Sequence, residues 1–103
     1  MSVLLDFSMF PTDKGESVSD EVARIVKMIS DSGVSYKLTA MGTIIETENM
    51  EDALEIVKKA YDLASEDSNR VYASIKIDAR KTRSQRLTGK VESIEKKVGD
   101  VND

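Results

Sequence analysis

The chain has 103 residues, of which 40% are hydrophobic and 33% are charged, and its formal net charge is −4 at pH 7. This length and composition predict one folded domain over residues 1–103 and exclude a multidomain or disordered chain. The chain has no cysteine and no histidine, which excludes disulfide scaffolds, zinc fingers, thiol nucleophiles and histidine acid–base chemistry.

The charge and the hydropathy pattern also bear on partners and compartment. A net negative charge argues against nucleic acid as a partner, because binding to phosphates depends on Lys and Arg. No stretch approaches the roughly 20 apolar residues of a membrane span, and no basic region leads into an apolar block at the N-terminus. We therefore expect a cytoplasmic protein that binds neither nucleic acid nor membranes.

The first half of the chain predicts a strand, a helix and a β-hairpin. Residues 3–10 alternate between apolar and polar side chains, as is typical of a strand, and Pro11 is expected to end it. A helix is expected to begin near residues 17–19 and to stop at Gly33, because apolar residues recur there at helical spacing. Residues 35–41 and 43–47 alternate again, which predicts two strands joined by a tight bend.

The second half predicts a helix, a long strand and a final helix. Asn49 is expected to cap the helix. The predicted apolar stripe of that helix is Ala53, Val57, Ala60, Tyr61 and Ala64. Residues 70–80 alternate over a long strand, and the spacing of Val91, Ile94 and Val98 predicts a short C-terminal helix.

The order β-α-β-β-α-β predicts the ferredoxin-like α+β fold, an antiparallel sheet with two helices on one face, here with a C-terminal helix added. The predicted helix-facing residues of the first and last strands are Leu5, Phe7, Met9, Val71, Ala73, Ile75 and Ile77. The opposite face is expected to be mixed in polarity, with Leu4, Ser8, Thr39, Met41, Tyr72 and Ser74. Such a half-apolar face is typical of contact with a partner or a ligand.

Three carboxylates in predicted strands could support acid–base chemistry: Asp6, Glu46 and Asp78. For Asp6 and Asp78, a solvent-facing or ion-paired carboxylate is the simpler interpretation. Glu46 instead follows a hairpin that carries Thr43, where a carboxylate and hydroxyls could converge on a small cationic or amino-bearing ligand. An enzyme acting through Asp78 and Glu46 therefore stands as one alternative.

Other catalytic and phosphate-binding signatures are missing from the sequence. There is no Ser-x-x-Lys motif and no Gly-rich loop, so Gly42 is interpreted as a turn or bulge glycine. The basic segment of residues 80–86 is expected to be a solvated connection into the final helix, with a phosphate site as the alternative.

Several stretches together carry a resemblance that covers nearly the whole chain. They are residues 7–8 before Pro11, 17–19, 36–46, 70–71, 76–80 and 90–95. On these residues the chain resembles the small thiamine-binding protein family. The chain departs from the family pattern in two places, since the glycine after the first strand comes only at Gly15 and Thr47 stands where a glycine often follows the hairpin glutamate.

The resemblance implies a domain that binds thiamine or its hydroxymethylpyrimidine half without catalysing a reaction, and that assembles as a homotetramer of paired dimers. We expect ligand contacts at Ser8, Tyr36, Gly42, Thr43 and Glu46, with no catalytic residue, no metal and no cofactor besides the ligand. Leu4 and Met41 are expected at a contact between stacked open sheet faces. The alternative is a regulatory or structural homo-oligomeric module of the same fold without a thiamine ligand.

Overall fold

The computed structural model describes residues 1–15, 18–82 and 87. Within them the chain forms β1 (Ser2–Pro11), α1 (Ser19–Ser32), β2 (Ser35–Thr39), β3 (Gly42–Thr47), α2 (Met50–Ser65) and β4 (Val71–Arg80). This order confirms the predicted ferredoxin-like α+β fold. The predicted C-terminal helix and residues 83–86 of the basic segment lie outside the described residues.

The four strands form one antiparallel sheet in the order β2-β3-β1-β4. Pairing of β1 with β4 runs without a break from Ser2 opposite Arg80 to Pro11 opposite Val71. Pro11 is thus the last residue of β1, a strand end where its missing N–H is tolerated. We call the side of the sheet that packs on α1 and α2 the helix-side face and the other side the open face.

The core lies between the helix-side face and the two helices. Its buried apolar residues are Val3, Leu5, Phe7, Met9, Ile25, Ile29, Ile45, Ala53, Ile56, Ala60 and Ala64. The odd-numbered positions of β1 supply its centre because alternate side chains of a strand point to the same face. Burial of this apolar surface is the main stabilising contribution to the fold.

The last strand faces the helices as predicted, but its side chains are largely exposed. The register places Ala73, Ile75 and Ile77 on the helix-side face, opposite Met9, Phe7 and Leu5. The helices do not bury them, however, since Ile75 and Ile77 are 43% and 44% exposed. The predicted helix-facing side is thus confirmed, and these residues stay exposed because β4 is an edge strand and α2 packs chiefly over β1 and β3.

In the second helix the predicted N-terminal cap is confirmed, and the predicted apolar stripe is wrong at one residue. The side chain of Asn49 accepts a hydrogen bond from the backbone N–H of Asp52 at 2.8 Å, as predicted. Tyr61 was assigned to the apolar stripe, but it is 51% exposed, and Ile56 takes its place in the core. Ile56 and Tyr61 both stand at helical spacing from other apolar residues of α2, and packing against the sheet decides which of the two is buried.

The first helix begins at Ser19, within the predicted range, and it ends at Gly33. Gly33 adopts the left-handed conformation at φ 82°, and its N–H donates to the carbonyl oxygen of Ser30 at 3.4 Å. A glycine is favoured there because a Cβ would strain this conformation. Neither α1 nor α2, the helices that the described residues form, is long and apolar enough to cross a membrane.

Candidate functional site

The turn of the β2–β3 hairpin is closed by one side chain. The Thr39 hydroxyl donates to the carbonyl oxygen of Gly42 at 2.9 Å, and it accepts from the backbone N–H groups of Met41 and Gly42 at 3.2 and 3.1 Å. Met41 lies at the tip and is 88% exposed. The predicted second strand was therefore too long: β2 stops at Thr39 because this side chain turns the backbone two residues before the predicted end.

The hairpin then lies closely against β1 at Gly42. A Cβ atom built on Gly42 would lie 2.8 Å from the carbonyl oxygen of Phe7 and 3.0 Å from Oδ1 of Asp6. The first of these contacts is to backbone, which cannot give way as a flexible side chain can. Gly42 therefore lets β3 start against β1, and it places the Asp6 carboxylate beside the hairpin.

A cavity of about 190 Å³ lies where β1, the hairpin and α1 meet, and we call it the hairpin cavity. Its walls are residues 7–10 of β1, residues 38–43 of the hairpin, and Val22, Ile25 and Val26 of α1. Most of these side chains are apolar or aromatic. Such a lining with a few polar groups is typical of a site for a small organic ligand.

Thr43 is the polar group of most interest in this cavity. The residue is only 6% exposed, and its hydroxyl has no hydrogen-bond partner among the described residues. A buried hydroxyl left without a partner costs about 1–3 kcal/mol, so native proteins rarely contain one without a ligand or water to satisfy it. The hydroxyl of Thr43 can therefore donate a hydrogen bond to a ligand in the hairpin cavity or accept one from it.

Ser8 and Gly42 line the same cavity. Ser8 is half-buried, and continuation of the β1–β3 register beyond Phe7 and Thr43 places it across from Gly42. Three of the five predicted ligand contacts, Ser8, Gly42 and Thr43, thus border one cavity, although the side chain of Ser8 lies on the open face and that of Thr43 on the helix-side face.

Glu46 lies elsewhere. Four residues along β3 from Gly42, a distance of roughly 13 Å, it lines a separate cavity of about 470 Å³ with Ser2 and Glu48. Its carboxylate accepts from the hydroxyl of Ser2 at 2.5 Å and from the backbone N–H of Leu87 at 3.3 Å. Glu46 therefore ties the start of β1 to the chain that follows β4.

Tyr36 is also separated from the hairpin cavity. It lies opposite Ile45 on the helix-side face of edge strand β2 and is 37% exposed. Tyr36 is not among the residues that line the hairpin cavity. The predicted contacts thus divide into one cluster of three residues and two isolated positions.

Sequence reasoning missed the contribution of α1 and of Thr39. Val22, Ile25 and Val26 were assigned only to the apolar stripe of a helix, a pattern that does not distinguish core from cavity wall. Thr39 did carry a signal, since a threonine three residues before a glycine can close a turn through its hydroxyl.

Charged groups of the described residues lie mostly on the surface. Four ion pairs join exposed residues of the helices or of their ends, for example Arg24 with Glu66 at 2.9 Å, and contribute little to stability. No group of three or more carboxylates in residues 1–15 and 18–82 is arranged to hold a metal ion. The chemistry of the hairpin cavity is therefore that of hydrogen bonding and apolar contact.

The described residues thus form an α+β fold with a small cavity at the β2–β3 hairpin. Residues 5–95 match the family model described as thiamine-binding protein. A UPF0045 protein of Methanothermobacter thermautotrophicus is 36% identical over 83 residues, covering 80% of this chain and 84% of the relative. The chain belongs to the thiamine-binding protein family.

Other comparisons agree with this assignment. A UPF0045 protein of Mycobacterium bovis is 33% identical over 96 residues, covering 93% of this chain and 94% of the relative. The crystal structure of a hypothetical protein of Methanocaldococcus jannaschii has a TM-score of 0.81 at 30% identity, covering 90% and 95% of the two chains. A candidate thiamine biosynthesis/salvage protein of Thermotoga maritima has a TM-score of 0.71 at 19% identity, covering 95% and 96%, which shows the shared fold.

Proposed function

We propose that this protein binds thiamine, or its hydroxymethylpyrimidine half, in the hairpin cavity and catalyses no reaction on it. The observation that carries the proposal is the buried hydroxyl of Thr43, which lines the cavity and has no partner among the described residues. The description of the family supplies the ligand class. That description names binding and no reaction.

The size and lining of the cavity favour a single flat ring. Its volume of about 190 Å³ is smaller than the roughly 300–1,000 Å³ of sites for drug-sized ligands. Phe7 and Met9 supply aromatic and apolar surface against which a heteroaromatic ring can pack. The pyrimidine half of thiamine carries both ring nitrogens and an amino group, which suit hydroxyls that can donate and accept.

If thiamine binds with its pyrimidine in this cavity, its second ring can lie in a neighbouring groove. A larger apolar groove along α1, beside β2, shares Val22, Val26 and Leu38 with the cavity lining. In the proposed pose the pyrimidine enters the cavity and the second ring lies in this groove. Thr43 is then the ligand-contacting hydroxyl. Ser8, whose side chain alternates onto the open face, stays a sequence prediction together with Tyr36 and Glu46, and the geometry does not favour these three.

A pair of matched substitutions tests the proposal. Thr43→Val keeps the shape of the side chain and removes the hydroxyl. We expect it to weaken binding of thiamine or hydroxymethylpyrimidine about tenfold, the effect of one hydrogen bond. The unliganded protein should be as stable as the parent, because no protein–protein hydrogen bond is lost.

Thr47→Val is the control on the same strand. Thr47 is equally buried, at 8% exposure, but its hydroxyl already donates to the carbonyl oxygen of Asn49 at 2.7 Å. This variant should lose about 1 kcal/mol of stability and leave ligand affinity unchanged. Calorimetric titration and urea unfolding measure both quantities, and equal affinities for Thr43→Val and the parent would reject the site.

We also propose self-association, as a dimer of dimers, in the cytoplasm. The exposed apolar side chains of Met41, Tyr72, Ile75 and Ile77 favour a contact with further copies of the chain. The same observation supports the second candidate function, a homo-oligomeric regulatory or structural module without a thiamine ligand. A thermal-shift screen with thiamine, its phosphates and hydroxymethylpyrimidine separates the two, because only a ligand-binding protein is stabilised.

A further inference from the structure

The hairpin cavity and the groove along α1 meet at three apolar side chains. Val22 and Val26 of α1 and Leu38 of β2 line both of them. The cavity holds about 190 Å³ and the groove about 970 Å³. We call these three residues the neck, because a molecule that occupies the cavity and the groove together must pass between them.

Leu38 is the neighbour of Thr43 across the hairpin. The two residues are directly opposed in the pairing of β2 with β3, and both lie on the helix-side face. Directly opposed residues of antiparallel strands have Cβ atoms about 4.5–5.5 Å apart. A ligand group that makes a hydrogen bond to the buried hydroxyl of Thr43 therefore lies within reach of Leu38.

The α1 side of the neck is rigid. Val22 and Val26 stand one turn apart on the same side of the helix. Ile25 and Ile29 of this helix are buried in the core and hold α1 in place. A valine in a helix has one strongly preferred rotamer, so the two valine side chains adjust little to a ligand.

The β2 side of the neck is adjustable. Leu38 is 56% exposed, and no strand lies beyond β2 among the described residues. Its side chain can therefore change rotamer without disturbing the core. A ring that covers Leu38 removes exposed apolar surface from water, which favours binding in proportion to the area covered.

Charge gives the groove little power to discriminate between ligands. Within the described part of the chain, the charged residues that line it are Lys27 and Asp31, and they form an ion pair with each other at 3.3 Å. Both side chains are mostly exposed, so solvent and salt screen them. Apolar contact at the neck is therefore the main source of selectivity on this side of the site.

We propose that Leu38 is a specificity-determining residue, which makes the site prefer a two-ring ligand such as thiamine to hydroxymethylpyrimidine alone. With the pyrimidine at Thr43, the second ring passes the neck and packs on Leu38, with Val22 and Val26 on its other side. Hydroxymethylpyrimidine has no second ring and gains nothing from this contact. The proposal rests on the proposed function, and it adds the residue that selects between the two ligands.

The ratio of the two affinities measures this role. Leu38→Ala removes the side chain beyond Cβ, and we expect it to lower the affinity for thiamine relative to that for hydroxymethylpyrimidine about tenfold, as the loss of contact with about two carbon atoms predicts. A general effect of the substitution on the hairpin cavity would weaken both ligands alike and would cancel in the ratio. Calorimetric titration of each variant with both compounds gives the two affinities.

Two further variants serve as controls. Leu38→Met nearly conserves the apolar volume, so the ratio should stay within about twofold of the parent value. Lys37→Ala shortens the neighbouring side chain of the same edge strand, but on the open face, where Lys37 lies opposite Ile44. It should leave both affinities unchanged. Circular dichroism verifies that each variant is folded.

The outcomes of the titrations are distinct. A ratio that falls in Leu38→Ala and stays near the parent value in Leu38→Met supports the proposal. A ratio unchanged in Leu38→Ala, with both compounds bound, overturns the role of Leu38 and leaves the proposed function intact. An equal fall in both variants also overturns it, because apolar volume would then not be what holds the second ring.

The parent protein separates this proposal from the proposed function. Binding of hydroxymethylpyrimidine at least as tight as that of thiamine would overturn the selectivity and keep the binding site. Binding of neither compound would reject the proposed function, and the role of Leu38 with it.

Discussion

The carboxylate of Asp13 accepts a hydrogen bond at 2.8 Å from the backbone N–H of Asn69, a residue 56 positions away in the chain. The Ser68 hydroxyl donates to the other oxygen of the same carboxylate. Next to them, the backbone N–H of Thr12 donates to the carbonyl oxygen of Arg70 at 2.9 Å. The segment after β1 is thereby tied to the segment that leads into β4.

Asp13 should make stability depend on acid pH. The hydrogen bond from Ser68, and then that from Asn69, lowers the pKa of Asp13 below its ordinary value of 3.8. A lowered folded-state pKa means that the stabilisation is present above the ordinary value and is lost as the pH falls through the lowered pKa. We predict that Asp13→Asn is less stable than the parent at neutral pH and that the two converge in acid.

Urea unfolding at a series of pH values measures this convergence. Asp67→Asn is the control, because Asp67 lies in the same loop, is exposed, and makes no hydrogen bond to the described residues. It should be as stable as the parent at every pH. A constant difference between Asp13→Asn and the parent across the series would contradict the pKa argument.

Gly42 should tolerate no side chain. Gly42→Ala places a Cβ 2.8 Å from the carbonyl oxygen of Phe7, so the start of β3 must move away from β1. We predict a loss of about 1–3 kcal/mol, the usual cost of overpacking, and weaker ligand binding because the wall of the hairpin cavity shifts. Met41→Ala, at the exposed tip of the same hairpin, should change stability by less than about 0.5 kcal/mol.

Unfolding in urea and calorimetric titration check both effects. A Gly42→Ala variant as stable as Met41→Ala would show that the strands can separate at this point without cost. The close approach would then not be the reason for a glycine at this position.

Helix ends and strand alternation depend on nearby residues and were predictable from the sequence, whereas burial that depends on the order of strands in the sheet was not. Asn49 caps α2 and Gly33 ends α1 through contacts within a few residues, so the sequence alone indicates both. Alternation likewise placed Leu5 in the core. The exposure of Ile75 depends on the position of β4 at the sheet edge. The alternating pattern of apolar and polar residues in β4 would be the same in an edge strand and in a central strand, so the sequence does not indicate this exposure.

The candidate site shows the same division. Gly42 and Thr43 are neighbours in sequence, so their grouping was predictable. Ser8 joins them only through the register of β1 and β3, and Glu46 is separated from them by the length of β3. A resemblance of sequence motifs names residues without fixing the distances between them, which the strand pairing determines.

Glu46 is expected to stabilise the fold rather than hold the ligand. Glu46→Gln removes the charge that accepts from Ser2 and Leu87, and we predict a loss of about 1 kcal/mol of stability. Affinity for thiamine should stay within about twofold of the parent, because Glu46 lies roughly 13 Å along β3 from Gly42. Glu48→Gln, an exposed carboxylate on the same cavity, is the control for charge alone.

The sequence prediction and the geometry disagree on this variant, so calorimetry decides between them. A loss of affinity in Glu46→Gln of tenfold or more, with affinity retained in Glu48→Gln, would restore Glu46 to the ligand site. Retained affinity with reduced stability would assign it to the contact between β1 and the chain after β4.

Thr39 should control the shape of the hairpin cavity through the turn that it closes. Its hydroxyl makes three hydrogen bonds that close the turn, and this turn carries Gly42 and Thr43 into the cavity wall. We predict that Thr39→Ala costs about 0.5–1.5 kcal/mol of stability, the net contribution of a hydrogen bond, and lowers ligand affinity. Thr39→Ser keeps the hydroxyl and should recover both, as measured by urea unfolding and calorimetric titration. Because a serine lacks the methyl group, equal loss in Thr39→Ser and Thr39→Ala would mean that the methyl contact, and not the turn hydrogen bonds, holds the hairpin in place.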